Sequence, residues 1–209
     1  MTAWARWGRT TAAASAAALI GAIAFVWERE VPLLDGFDLA VHETGHMLTA
    51  FMPEMVMFMA GSVAQVAVPL ALAVYFLVDG RDRAAAVFCF AWAGTSARDV
   101  SVYSADAVAE SLPLIGGGQH DWAYILGRNG FDVLDRTSEV AGFIAALGAL
   151  MVLGGLALAG ATIARRVQAQ RRTTEEPEMA LPERPLTVSA PGVDPWAEAA
   201  QLPFRHGAP

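Results

Sequence analysis

Along the chain, long uncharged stretches alternate with short polar ones, and four of the apolar stretches approach the length a helix needs to cross a hydrocarbon core. The first, Thr10 to Trp27, is alanine-rich and follows Arg6 and Arg9. It reads as an anchor rather than a cleaved leader. No polar cleavage region with small residues follows it, and Trp27 stands where an interfacial aromatic would. The second, Met55 to Val78, carries no charge, and the third is apolar from Ala84 to Ala97, where Arg98 and Asp99 interrupt it. The fourth, Val140 to Ala164, is uncharged and ends against Arg165 and Arg166.

This pattern predicts an all-α fold, a polytopic membrane bundle of about four transmembrane helices. Arginine placement sets the expected orientation, because cytoplasmic flanks retain positive charge during insertion. Arg6, Arg9, Arg81, Arg83, Arg165, Arg166, Arg171 and Arg172 fall on one set of flanks, against Arg29, Arg128 and Arg136 on the other. Both termini are then expected in the cytoplasm of a multi-pass plasma-membrane protein. Two segments, Glu28 to Glu54 and roughly Ser104 to Glu139, are expected outside. Residues 1–165 form the predicted membrane domain. Residues 166–209, broken by Pro177, Pro182, Pro185, Pro191 and Pro195, read as a disordered cytoplasmic tail in which His206 is solvated.

Composition narrows the function classes. A chain that is 55% hydrophobic and 17% charged is too apolar for an ordinary soluble domain, so the lipid bilayer is its expected partner. The net charge of −7 owes much to Glu175, Glu176, Glu178 and Glu183 in the tail. All 14 basic residues are arginine, but they are scattered between apolar runs rather than gathered on one face, which argues against nucleic acid. The single Cys89 lies in an apolar stretch and reads as a packed thiol.

The chemistry concentrates in His42-Glu43-Thr44-Gly45-His46. Asp35-Gly36-Phe37-Asp38 is a good helix start with Asp35 as the cap, and Pro53 ends the segment, which predicts an interfacial or re-entrant helix. Four residues apart on that helix, His42 and His46 project from one face and can share one ion, expected to be Zn2+. Glu43 is angled away from that face. It suits a carboxylate that takes a proton from water activated by the metal, without itself binding the ion. Asp38, four residues before His42, is expected to hold that imidazole's second nitrogen.

A catalytic zinc needs one further protein ligand. Gly116-Gly117-Gly118-Gln119-His120-Asp121-Trp122 offers His120 as first choice and Asp121 as second, with Asp135 a further possibility. The same cluster also reads as an interfacial turn in which Trp122 sits at the headgroups. Asp99, Tyr103 and Asp106 share a helical face; Asp99 suits either a role at the site, such as positioning substrate, or an ion pair with Arg98. Gln65, in the second span near Ser62, suits interhelical hydrogen bonding or, less favoured, donation to a developing oxyanion. The glycines of the last span (Gly142, Gly148, Gly154, Gly155 and Gly160) read as helix packing.

With its HExxH sequence among several apolar spans, the chain resembles the site-2 protease class of membrane metallopeptidases over about its first 165 residues. The resemblance implies that His42 and His46 are zinc ligands, that Glu43 is the catalytic acid/base, and that the reaction is peptide-bond hydrolysis. That family takes its third ligand from a Leu-Asp-Gly motif on a later span. The nearest sequence here, Leu134-Asp135-Arg136, lacks the glycine and precedes the span. No loop is long enough for a PDZ-like insertion. The leading expectation is a zinc metalloprotease acting on a membrane or membrane-adjacent polypeptide. A zinc-dependent hydrolase of a lipid or amide, and a non-catalytic scaffold or metal sensor, are the alternatives.

Overall fold

In the computed structural model, residues 3–114 and 118–175 are described, and every regular element among them is helical. The order is α1 (Ala3–Phe25), α2 (Leu34–Thr49), α3 (Glu54–Val78), α4 (Arg83–Ala105), the short α5 (Asp121–Leu126), a 3-10 turn at Leu134–Arg136, and α6 (Thr137–Glu175). The chain divides into two units, residues 1–169 and 170–209. The bundle described below belongs to the first; of the second, only the last turns of α6 are among the described residues. Gly116, Gly117, His206 and the expected disorder of residues 176–209 lie outside them.

Three segments, Trp7–Phe25, Glu54–Val78 and Leu134–Arg172, are long and apolar enough to cross a membrane, which fits a membrane protein. Their apolar side chains face outward as well as inward: Val63, Val74, Phe143, Leu150 and Leu153 are all exposed. The remaining long helix, α4, carries Arg98 and Asp99 in its second half. It buries Ala86, Val87, Ala91, Ala93 and Ala97 among its neighbours.

Small residues set the register of these helices. Arg9 of α1 pairs with Asp82 at the start of α4. A Cβ on Gly21 of α1 and one on Gly94 of α4 would both run into Val152 of α6, at 2.7 and 2.6 Å. Thus α1 and α4 lie side by side in the same direction. Helix α6 runs against them: Gly148 meets Gly94 backbone to backbone, Gly155 backs onto Val87, and Arg166 donates to Thr10 Oγ1 at 3.1 Å. Gly142, Gly154 and Gly160 face open space, so of the last span's glycines the packing role belongs to Gly148 and Gly155.

Helix α2 lies antiparallel on the first half of α3. Gly45 makes this possible, since a Cβ there would stand 2.5 Å from the Ala60 carbonyl oxygen. The helix is polar inward and apolar outward: Asp38, His42 and Gly45 are buried, whereas Phe37, Leu39, Met47 and Leu48 are exposed.

Two helix ends differ from expectation. Helix α2 starts at Leu34 behind Leu33, which makes no side-chain cap bond, so Asp35 lies inside the first turn and acts on the dipole rather than as the cap. Helix α6 continues past residue 165 to Glu175, because Arg165, Arg166, Ala169, Arg171 and Arg172 favour helix and the first proline is Pro177.

Candidate metal centre

Two turns of α2, the first half of α3 and the start of α5 meet at one point. His42 Nε2 lies 3.0 Å from Asp121 Oδ2, and His46 Nε2 lies 3.1 Å from the same oxygen. The three donor atoms fall within 4.8 Å of one another. Ligands around a tetrahedral zinc at 2.0–2.2 Å stand roughly 3.3 Å apart, so this spacing suits a small divalent ion.

Tautomers sharpen the case. His46 Nδ1 is 2.8 Å from the Met57 carbonyl oxygen, which can only accept, so Nδ1 carries the proton. His42 Nδ1 likewise donates to Gln65 Oε1 at 3.1 Å. In neutral imidazoles both Nε2 atoms then present lone pairs to a carboxylate oxygen, an arrangement that a cation between them, or a proton on one of the rings, would relieve. The same demand appears in the pKa of His42: burial opposes its charged form, yet the Asp121 carboxylate outweighs burial and raises it above the ordinary histidine value.

Gly61 of α3 forms the floor. A Cβ there would stand 2.5 Å from His46 Nε2 and 2.6 Å from His42 Nε2, in the space an ion would use. His42, Gly61 and Asp121 are all buried. Since Gly61 is seven residues into α3, the centre lies about 10 Å along that helix from Glu54.

Helix α5 is too short to hold itself, so its neighbours hold it. Trp122 Nε1 donates to Ser62 Oγ at 3.1 Å, and Tyr124 donates to Glu54 Oε2 at 3.0 Å while stacking on Phe58. From α4, the Tyr103 hydroxyl accepts from the Asp121 amide at 3.2 Å. Trp122 therefore pins α5 to α3.

Of the expected ligands, the structure brings together His42, His46 and Asp121 and leaves out His120 and Asp135. His120 is fully buried but is spent on the local backbone: its Nδ1 accepts from the Ala123 amide at 3.3 Å as the cap of α5. Its Nε2 has no hydrogen-bond partner among the described residues and faces Asp106 Oδ2 at 3.5 Å. Asp135 is exposed in the 3-10 turn.

The orienting residues also differ. Asp38 does not hold His42, because its two oxygens accept from Trp92 Nε1 and Ser96 Oγ, both at 2.8 Å. Gln65 takes that role as an interhelical hydrogen bond. Asp38 instead ties α2 to α4, and burial pushes its carboxyl up to about 6 despite those two bonds.

A cavity of about 370 Å³ opens beside the centre. His42, Glu43, Gln65, Arg98, Asp99 and Tyr103 are among its lining residues. Glu43 thus stands next to His42 without joining the candidate donor set, and Asp99 faces the same space with no ion pair to Arg98. The donor set with an adjoining carboxylate and an open cavity has the parts that metal-assisted hydrolysis requires.

Comparison with known proteins found no matching family model, no matching curated protein and no matching solved structure. The chemistry of the site therefore rests on its own geometry.

Gly61 and the Met57 carbonyl escaped the reading of the sequence. A signal existed for the first: Gly61-Ser62 breaks an apolar run four residues before Gln65, which puts a gap and an amide on one helix face. A backbone carbonyl leaves no such trace.

Proposed function

We propose that the protein is a membrane-embedded zinc metalloprotease, a distant or minimal relative of the site-2 protease class, that hydrolyses peptide bonds of a membrane or membrane-adjacent polypeptide. The observation that carries the reading is the convergence of two Nε2 lone pairs and Asp121 Oδ2 on one point, over the gap left by Gly61. Only three protein donors from the described residues meet there, which favours a catalytic site over a closed structural one.

In this reading His42, His46 and Asp121 hold the ion. Bound there, zinc polarises a carbonyl and lowers the pKa of water. Glu43, on the cavity wall, accepts the proton of the attacking water and returns it to the leaving amine. Gln65 and the Met57 carbonyl keep each imidazole in the tautomer that presents Nε2.

The setting belongs to the same proposal. Helix α4 is the fourth span, its charges accommodated beside the cavity, and α2 is a re-entrant helix whose apolar outer face meets lipid. Both termini lie on the cytoplasmic side of the plasma membrane, a reading supported by Arg9, Asp82 and Arg166 gathering at one end of the bundle. An apolar hollow of about 520 Å³, bordered by Ser62, Trp122, Val66 and Ile144, supports a hydrophobic polypeptide as substrate.

The test is Glu43→Gln in the full-length protein, with bound zinc and cleavage of co-expressed membrane proteins measured together. Retained zinc with lost cleavage is the expected result; undiminished cleavage would overturn the proposal.

A further inference from the structure

Among the described residues the guanidinium of Arg98 has no partner: no carboxylate lies within ion-pair range, and the one hydrogen bond this residue makes outside the helix ladder is accepted by its carbonyl, from Ser101 Oγ. A guanidinium cannot shed its charge where water is scarce, so an unpaired one in the half-buried wall of an apolar bundle calls for an anion. Carboxylates are not lacking nearby. Glu28, Glu30, Asp35, Asp38, Glu43 and Asp99 line the same cavity, yet none of them closes on Arg98. Asp38 is spent on Trp92 and Ser96, and Glu28 and Glu30 are exposed.

The helix that carries this charge is fixed in register with the metal centre. Ser96, two residues before Arg98, donates to Asp38, which lies one turn of α2 before His42. Gly94, one turn before Arg98, is wedged against Gly148 of α6. Arg98 and His42 therefore line one space of about 370 Å³ from two walls that are tied together.

We infer that Arg98 is a specificity-determining residue that binds an acidic side chain of the substrate polypeptide, close to the peptide bond presented to the metal. This inference rests on the protease reading above and narrows its substrate class. The planar fork of a guanidinium matches a carboxylate through two parallel hydrogen bonds. With six carboxylates and only two arginines in its lining, the cavity does not concentrate free anions, so the acidic group has to arrive on a chain that the centre already holds. Arg29, the other arginine of the lining, is exposed, which leaves the selection to Arg98.

The experiment uses the full-length zinc-loaded protein in nanodiscs of zwitterionic lipid. The probes are peptide hydroxamates, amidated at the C-terminus, whose hydroxamate binds zinc and which carry Glu, Gln or Lys at each position in turn. At one position wild type is expected to bind the Glu peptide at least about tenfold more tightly than its Gln twin. Arg98→Gln is expected to lose that preference while zinc content and affinity for the Gln twin stay as in wild type, and Arg98→Lys to keep part of it. The inference is overturned if Glu brings no gain at any position, if Lys binds tightest, or if the preference survives in Arg98→Gln. Loss of zinc or of affinity for the Gln twin in Arg98→Gln would make Arg98 a structural residue and overturn it as well. So would a gain from a free C-terminal acid on the Gln peptide with none from Glu, which would assign Arg98 to a chain terminus. Failure of wild type to bind zinc would remove the metal centre itself, and the inference with it.

Discussion

Gly61 lies directly beneath His46: a single methyl group on its backbone would stand 2.5 Å from the imidazole Nε2. Replacing Gly61 by alanine is therefore expected to displace both imidazoles and abolish stoichiometric metal binding while α3 stays helical, since alanine is the better helix former. Elemental analysis of the purified variant checks this. Gly142→Ala, at a position facing open space, is the control and should bind as wild type does.

Gln65 and Asp38 should separate cleanly. Loss of the Gln65 bond to His42 Nδ1 frees the ring, so Gln65→Leu is expected to weaken metal affinity by roughly 10–100-fold. Asp38→Asn leaves that bond untouched and should bind metal normally. Competition against a chelator of known affinity measures both, and equal losses in the two variants would contradict the assignment.

Two carboxylates should give stability opposite slopes with pH. The Asp38 carboxyl is raised from its ordinary 3.8 to about 6 in the folded protein, so its contribution is full below 3.8 and is lost as pH rises through about 6. The loss is at most about 3 kcal/mol. Asp82 shows the reverse: burial raises its pKa, but the Ala85 and Ala84 amides and Arg9 outweigh burial and hold it below the ordinary carboxylate range. Its contribution is present above 3.8 and is lost as pH falls through the folded value. Thermal unfolding in detergent across this range should show Asp38→Asn reducing the loss on the neutral side. Asp82→Ala should reduce the loss on the acid side, at a cost of about 1 kcal/mol for the missing cap.

Trp122 tests the tether of α5. Trp122→Phe removes the bond to Ser62 Oγ, worth about 1 kcal/mol, and leaves the ring to pack. Metal should dissociate faster from this variant than from wild type, with helicity by circular dichroism unchanged. An unaltered dissociation rate would show that Tyr103 and Tyr124 hold α5 without it.

Elements that announce themselves by local spacing were legible in the sequence. The His42/His46 pair is set by helical period, and the apolar runs that became α1, α3 and α6 are set by length. What depended on tertiary approach was harder to read. His120 and Asp121 are adjacent, and no local rule says which will face α2. Once Asp121 starts a helix, the preceding residue becomes its cap and the histidine is consumed by an amide. Asp38 sat on the same stripe as His42, but α4 brought Trp92 and Ser96 closer to it, which freed the tautomer role for Gln65 on α3. Arg165 and Arg166 looked like the end of a helix because they end an apolar run, yet hydrophobicity and helicity part company there and α6 continues.

The donor set is split between residues 46 and 121, which lie 75 positions apart, on α2 and α5, with α3 and α4 between them in the chain. An ion is thus offered all three donors only after the intervening helices have packed. Metallation would certify completed assembly: a chain in which α5 has not docked offers two imidazoles and lacks the Asp121 oxygen.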